Sequence, residues 1–155
     1  MTKKLVSIIM PSYKPQDYML EAVRCILNQT YKNLELIIVN DGSGSDYDHF
    51  YGSILSLDER IKYISLPKNI GGGGARNIAL NNAEGEYLAF CDSDDKWCKE
   101  KLEAQLSFLI SNNLDMTHCD MYRVEGSNRE LLSSPDAITY KSFLSNTKLY
   151  CSSVL

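Results

Sequence analysis

The chain has 155 residues, 44% of them hydrophobic, which suits one domain with a real core. Its 16 basic and 20 acidic residues leave a net charge of −4, which excludes the basic footprint of a nucleic-acid binder. A mildly acidic chain that takes an anionic ligand needs a local device: a metal, an arginine or a helix N-terminus.

From the N-terminus, "KLVSIIMPSY" is a short apolar run rich in β-branched residues, and Pro11 is expected to end it as a buried strand. In "PQDYMLEAVRCILNQT", Met19, Leu20, Val23, Ile26 and Leu27 fall on one helical face, with Asp17 near the positive end of the helix dipole. "LELIIVNDGS" is a second strand stopped by an Asp-Gly turn signal. "DYDHFYGSILSL" reads as a weaker helix interrupted by Gly52, and "IKYISLP" alternates as a third strand. Four glycines, Gly71 to Gly74, then lead into a short helix "ARNIALNNA" closed near Gly85. "EYLAFCDSDD" is a fourth strand ending in acids. "KEKLEAQLSFLISNN" is a helix with Leu102, Leu106, Leu109 and Ile110 on its apolar face. "LDMTHCDMYRVEG" is expected as a fifth strand turned by Gly126, followed by a short helix in "TYKSFLSN" and another apolar segment in "KLYCSSVL".

This alternation of strands and helices predicts an α/β domain over residues 1–155: a mostly parallel sheet with helices on both faces. The five cysteines are odd in number and contain no CxxC pair, so neither a disulfide framework nor a structural zinc site is expected. Cys25 and Cys91 lie in apolar runs as small hydrophobes, pointing to a reducing, cytoplasmic compartment. No signal peptide is expected, because the apolar run after "MTKK" ends at Pro11, and no stretch reaches the ~18 apolar residues of a membrane span. The last apolar run continues to Leu155, so the chain is expected to be a truncated domain.

In open α/β sheets ligands bind beyond the carboxyl ends of the strands. There the sequence places Pro11, Ser12 and Tyr13; Asn40, Asp41, Gly42 and Ser43; Lys68, Asn69 and the glycines; and Asp92, Ser93, Asp94 and Asp95. Three carboxylates in "DSDD" repel one another without a cation, and Asp92 and Asp94 point the same way in an extended chain. Mg²⁺ and Mn²⁺ take one or two such carboxylates and complete their shell with water and phosphate. The plain alternative is a solvated acidic turn with Asp95 as a helix N-cap. Asp41 is either a turn residue or an acceptor for a nucleobase N–H or ribose hydroxyl. The glycine run fits neither common phosphate loop. GxGxxG meets Arg76 or Asn77 where its third glycine belongs, and a P-loop needs Gly-Lys-Ser/Thr where Gly74 is followed by Ala75. It reads instead as a loop with little side-chain bulk that delivers Arg76, placed in the first helical turn, to a ligand. Tyr13 stacks on a base or covers the sheet end, and Trp97 anchors the loop after the acids. His118, Cys119 and Asp120 share no face if they lie in a strand, so they read as packing residues.

"VSIIMPSYKPQDYMLEAVRCILNQTYKNLELIIVNDGS", "NIGGGGARN" and "YLAFCDSDDKW", in that order, resemble family 2 glycosyltransferases of the GT-A fold over roughly residues 4 to 125. The resemblance implies a sugar-nucleotide donor, most often a UDP-sugar, a divalent Mn²⁺ or Mg²⁺ ion, and inversion at the anomeric carbon. It puts Pro11, Ser12 and Tyr13 around the nucleoside, Asp41 on the base or ribose, and Gly73 and Arg76 beside the nucleotide. Asp92, Ser93, Asp94 and Asp95 match the DxD-type motif, with Asp94 and Asp95 as metal ligands. It further implies a saccharide or lipid-linked acceptor, a role in polysaccharide or glycan assembly, and a place at the inner face of the cell membrane. The family's general base comes from a Glu-Asp motif that neither "VEG" near Glu125 nor "SPD" near Asp136 matches, so the base and the acceptor half are expected beyond Leu155. Two rivals remain. One is a haloacid-dehalogenase-type phosphatase with Asp92 as nucleophile and Asp94 as acid, whose motif does not accept Lys96. The other is a nucleotide-binding module without chemistry.

Overall fold

The structure, a computed structural model, describes residues 4–139, 141–142 and 149–155. Four parallel strands form the central sheet: β1 (Val6–Ser12), β2 (Leu34–Asn40), β3 (Ile61–Ser65) and β4 (Tyr87–Phe90). Their order is β3-β2-β1-β4. Helices α1 (Asp17–Leu27), α2 (Asp48–Leu55), α3 (Gly72–Leu80) and α4 (Lys101–Ser111) follow the four strands in turn. The chain steps from β1 to β3 in one direction, then reverses across the sheet to reach β4. Right-handed crossovers put helices made in opposite directions on opposite faces. Accordingly α1, α2 and α4 pack with Ile8, Met10, Leu36 and Ile38, whereas Ala75 and Ala79 of α3 pack with Ile9, Ile37 and Val39. The expected sheet with helices on both faces is what the chain forms.

Burial of both faces explains why every residue of β2 is buried and why its run Leu36–Val39 is wholly apolar. Pro11 does not end β1, as the sequence suggested. Residue 9 accepts from Cys91 N–H on the β4 side, so Pro11, two residues on, faces the same side. The β1–β4 ladder stops at the Ile9–Phe90 pair, so the missing N–H of Pro11 falls where no partner strand runs. Pairing with β2 continues to Ser12 opposite Asn40.

The expected fifth sheet strand is corrected. Residues 121–132 form a separate antiparallel hairpin, β5 (Met121–Glu125) with β6 (Asn128–Leu132), turning at Gly126 with φ +61°. Charges alternate along it, an Arg123–Glu130 ion pair crosses it, and Tyr122, Val124 and Leu131 stay exposed, so neither face can enter a two-sided core. On α4, Gln105 takes the buried position expected of Ile110, which is exposed. Most of "TYKSFLSN" lies outside the described residues. Among the described residues, no helix is long and apolar enough to cross a membrane.

At the amino ends of the strands, on the α3 face, one buried carboxylate gathers four elements. Glu35 accepts from Ser7 Oγ and from the Glu84 N–H at 2.8 Å, and pairs with Lys62 at 2.7 Å. The Ser7 hydroxyl in turn accepts from the Gly85 N–H at 2.8 Å. Gly85 must be glycine here, since a Cβ would sit 2.6 Å from the Ser7 N and Oγ. Burial pushes the Glu35 carboxyl up, but the bonds from Lys62, Ser7 and the Glu84 N–H outweigh it and hold the group below the usual carboxylate range.

Candidate functional site

The opposite edge of the sheet carries the candidate residues. At the tip of β2, Asn40 Oδ1 accepts the Ser43 N–H at 2.9 Å, which turns the chain through Gly42 at φ +71°. Residue 42 must be glycine: a Cβ would lie 2.4 Å from the Lys68 carbonyl carbon and 2.5 Å from Asn69 N. The loop 68–71 is thus pressed directly onto the tip of β2.

Asp41 fastens that loop. It is 3% exposed, its Oδ1 accepts the Ile70 N–H at 2.7 Å and its Oδ2 the Gly71 N–H at 2.9 Å. Its own N–H donates to Ser12 O at 2.8 Å, tying β2 to β1. Gly71, at φ +85°, caps α3. The helix starts at Gly72, so three of the four glycines are helical rather than a loop before the helix. Arg76 therefore lies in the second turn, not the first. Gly73 faces open space, while the Gly74 position is crowded by Ile70, 2.9 Å from where a Cβ would be.

Arg76 reaches across to β4. Its Nη2 forms an ion pair with Asp92 Oδ1, and both side chains are partly buried. Its Nε is buried without a hydrogen-bond partner. Asp41, the glycine turn, Arg76 and Asp92 thereby make one continuous connection between the tips of β2 and β4, passing over β1.

The acidic segment is not extended, contrary to the sequence reading. β4 ends at Phe90, and the Asp95 N–H donates to Asp92 O at 3.1 Å to close a turn through Ser93 and Asp94. Nor is Asp95 a helix N-cap, since α4 starts at Lys101. Asp94 stands exposed at the outer corner, with no hydrogen bond or ion pair among the described residues. The Asp95 carboxyl is partly buried; burial and the charges of Asp94 and Asp92 push it above the usual carboxylate range, and the nearby Ser152 hydroxyl only partly offsets this. No group of three metal-ligating side chains converges among the described residues. The donor set fits a hard divalent ion held by one or two carboxylates and completed by phosphate and water, not an all-protein cage.

The residues expected around a nucleoside are placed unequally. Tyr13 is 48% exposed and Pro11 is partly exposed. Ser12 is turned inward: its hydroxyl meets Tyr51 Oη at 2.9 Å and Met19 Sδ at 3.3 Å. Tyr51 also meets Ser43 Oγ at 3.2 Å, and Ser43 Oγ accepts the Lys14 N–H at 2.9 Å. This hydroxyl chain braces the turn after β1 against the turn after β2. The sequence reading missed Tyr51 and Ser43 as supports, because a tyrosine inside a weak helix carries no local sign of its partners. Trp97 does anchor the loop after the acids: its Nε1 donates to Ser152 O at 3.0 Å and the Lys101 ammonium sits 4.1 Å over its ring.

Comparison with known proteins completes the description. Residues 7–151 match the family model described as glycosyl transferase family 2. An uncharacterized glycosyltransferase of Haemophilus influenzae is 38% identical over all of this chain and 63% of its own. The Escherichia coli UDP-Glc:alpha-D-GlcNAc-diphosphoundecaprenol beta-1,3-glucosyltransferase WfgD is 38% identical over 97% of this chain and 59% of its own. The crystal structure of Staphylococcus aureus TarS 1-349 in complex with UDP superimposes with a TM-score of 0.70 at 30% identity, covering 79% of this chain and 37% of that one. The chain thus spans about three-fifths of the length of the curated relatives it matches.

Proposed function

The chain belongs to glycosyl transferase family 2, and on that premise we propose that its sheet edge binds the nucleotide-sugar donor, a UDP-sugar, of an inverting hexosyl- or N-acetylhexosaminyltransferase. The acceptor is a hydroxyl on a saccharide or lipid-linked glycan. The observation that carries this reading is the unbroken connection from Asp41 through the glycine turn and Arg76 to Asp92. It gathers a cation, bare backbone and carboxylates at the strand tips, where open α/β sheets bind ligands.

Tyr13 and Pro11 line the nucleoside side, and Ser12 contributes backbone only. Asp41 acts by fixing the loop; each of its oxygens keeps a second acceptor site for a base or ribose donor. Arg76 lies beside the diphosphate, where a guanidinium with an unpartnered Nε has donors to give. Asp94 and Asp95 are the residues that hold Mn²⁺ or Mg²⁺. When bound, such an ion supplies Lewis-acid stabilisation of the charge that grows on the departing nucleoside diphosphate. The chain's own part is to orient the donor so that its anomeric carbon faces the acceptor. The phosphatase alternative loses its support, because the Asp92 carboxylate is engaged by Arg76 rather than poised as a nucleophile.

Titration calorimetry with UDP, GDP and ADP, each with and without Mn²⁺, tests the reading. UDP is expected to bind only with the metal, at least about tenfold tighter than GDP or ADP, a difference of ~1.4 kcal/mol. Folded protein that binds no nucleotide sinks the proposal.

Gly73 supplies a second test. A side chain there meets no protein atom within 4 Å, so Gly73→Val should change stability by no more than ~0.5 kcal/mol. Its bulk stands beside the proposed diphosphate, and UDP affinity should fall about tenfold, or ~1.4 kcal/mol. Parallel losses of melting temperature and affinity would make the glycine a purely structural requirement.

A further inference from the structure

The turn after β1 has a shape that its residues do not favour. Lys14 has φ +47°, in the left-handed region, and Pro15 follows it. A lysine meets a steric cost there, and a residue before proline is pushed toward extended backbone. Asn113, the other such residue besides glycine among the described residues, is of a type that visits this region readily. Conformations of this kind persist only where their surroundings impose them. Here the Lys14 N–H donates to Ser43 Oγ at 2.9 Å, in the turn after β2.

Ser43 is buried and fixed from two sides. Its own N–H donates to Asn40 Oδ1 at 2.9 Å, and the Asn40 amide donates to Tyr63 Oη at 2.9 Å. Its hydroxyl meets Tyr51 Oη at 3.2 Å, and the buried Tyr51 ring lies 5.0 Å from that of Tyr63. Counting protons gives this chain a direction. Each hydroxyl has one proton to donate, and a thioether has none. Ser12 Oγ donates to Met19 Sδ at 3.3 Å, so Tyr51 donates to Ser12 and Ser43 donates to Tyr51. The acceptor side of Ser43 is then left for the Lys14 N–H. Hydrogen bonds aligned in one direction polarise and strengthen one another.

Tyr13 precedes Lys14 at the rim of the site, with the Lys14 ammonium 5.2 Å over its exposed ring. We propose that Ser43 is a positioning residue of the donor site: by holding Lys14 in its left-handed shape, it fixes where the Tyr13 ring meets the nucleobase. This inference rests on the donor-site reading above, in which Tyr13 lines the nucleoside side. Without the Ser43 hydroxyl, Lys14 relaxes toward extended backbone and carries the Tyr13 ring out of place. A ring that is already in place needs no ordering when the base arrives.

The test is a double-mutant cycle on the full chain, read by calorimetry with UDP and Mn²⁺ alongside the melting temperature. Tyr13→Ala removes the stacking surface and should weaken UDP binding about tenfold. Ser43→Ala should weaken it about fivefold while Tyr13 is present, and by less than about twofold once Tyr13 is alanine. Tyr51→Phe removes a bond to the same hydroxyl but leaves the Lys14–Ser43 bond; it should lower the melting temperature and keep UDP affinity within about twofold. Should Ser43→Ala fail to fold, Ser43→Cys keeps the volume with a much weaker hydrogen bond and takes its place. Independent losses that multiply to about fiftyfold in the double variant overturn the positioning role while the donor site stands. So do equal losses in the Ser43 and Tyr51 variants, or undiminished binding in the Ser43 or Tyr13 variant. Absence of UDP binding in the unaltered protein overturns both.

Discussion

Replacing Asp94 with alanine is expected to abolish Mn²⁺-dependent UDP binding while leaving the fold intact. The two halves of that result have separate physical origins. Asp94 is exposed and makes no hydrogen bond or ion pair among the described residues, so truncating it orphans no buried group. Its removal should alter stability by no more than ~0.5 kcal/mol. It also takes away one of the two charges that crowd Asp95, which favours the folded state slightly. Binding behaves oppositely. A hard ion that takes only one or two protein carboxylates loses at least half of its protein ligands with this one change. A loss of at least about 100-fold in UDP affinity with Mn²⁺ follows, or ~2.7 kcal/mol. Calorimetry with and without Mn²⁺, on protein whose melting temperature has been checked, reads both halves. Undiminished metal-dependent binding by the alanine variant would remove Asp94 from the site.

The second large effect lies at the other end of the sheet and concerns stability alone. Glu35→Ala leaves two donors without an acceptor, the buried Ser7 hydroxyl and the partly buried Glu84 N–H. At ~1–3 kcal/mol for each orphaned group, the expected loss is about 3 kcal/mol. The severed pair with Lys62 adds little, because Lys62 is 40% exposed and keeps Glu84 as a partner at 2.7 Å. For a chain of this size the melting temperature should fall by roughly 6–12 °C. The pH dependence has a defined sign. Glu35 titrates below its unfolded value, so its charged form contributes stability that is present above the usual glutamate pKa of ~4.3. That contribution is lost as pH falls through the lower, folded value. Urea unfolding of both proteins at neutral and acidic pH should therefore show a gap that narrows in acid. A gap independent of pH would mean that the ionised state of Glu35 does not matter. Nucleotide binding is a useful control, since this network is at the amino ends of the strands and should leave it unchanged wherever the protein is folded.

Two regions show where the sequence was legible and where it was not. The buried strands β1 and β2 announce themselves, because burial on both faces demands apolar runs such as Ile8–Met10 and Leu36–Val39. Helix α1 is equally plain, with Met19, Val23 and Ile26 at helical spacing and all buried. Residues 114–126 read in sequence as a fifth strand of the main sheet, whereas Met121–Glu125 alone of them is a strand and pairs in a separate hairpin. Its alternating apolar and charged residues specify extended backbone but not which neighbour pairs with it. Proline lacks an N–H, so the sequence predicts a strand end at Pro11; only the lengths of the two neighbouring ladders show that none is needed there.

At the candidate site the same division holds. Residue types and their order by themselves determined the alternating α/β architecture and the family. They also put Asp41, the glycines, Arg76 and the acidic residues at strand tips. The reason is that hydrophobic periodicity and turn chemistry are local properties, written within a few residues of where they act. The tertiary structure alone decided which partner each polar group takes. It turned Ser12 inward to Tyr51 and used both oxygens of Asp41 to hold the glycine turn. It also paired Arg76 with Asp92 and brought Ser152 across 60 residues to the acidic turn. A hydroxyl or carboxylate can satisfy its hydrogen bonds with many groups of similar strength, so its partner is set by which strand tips the topology brings within about 3 Å.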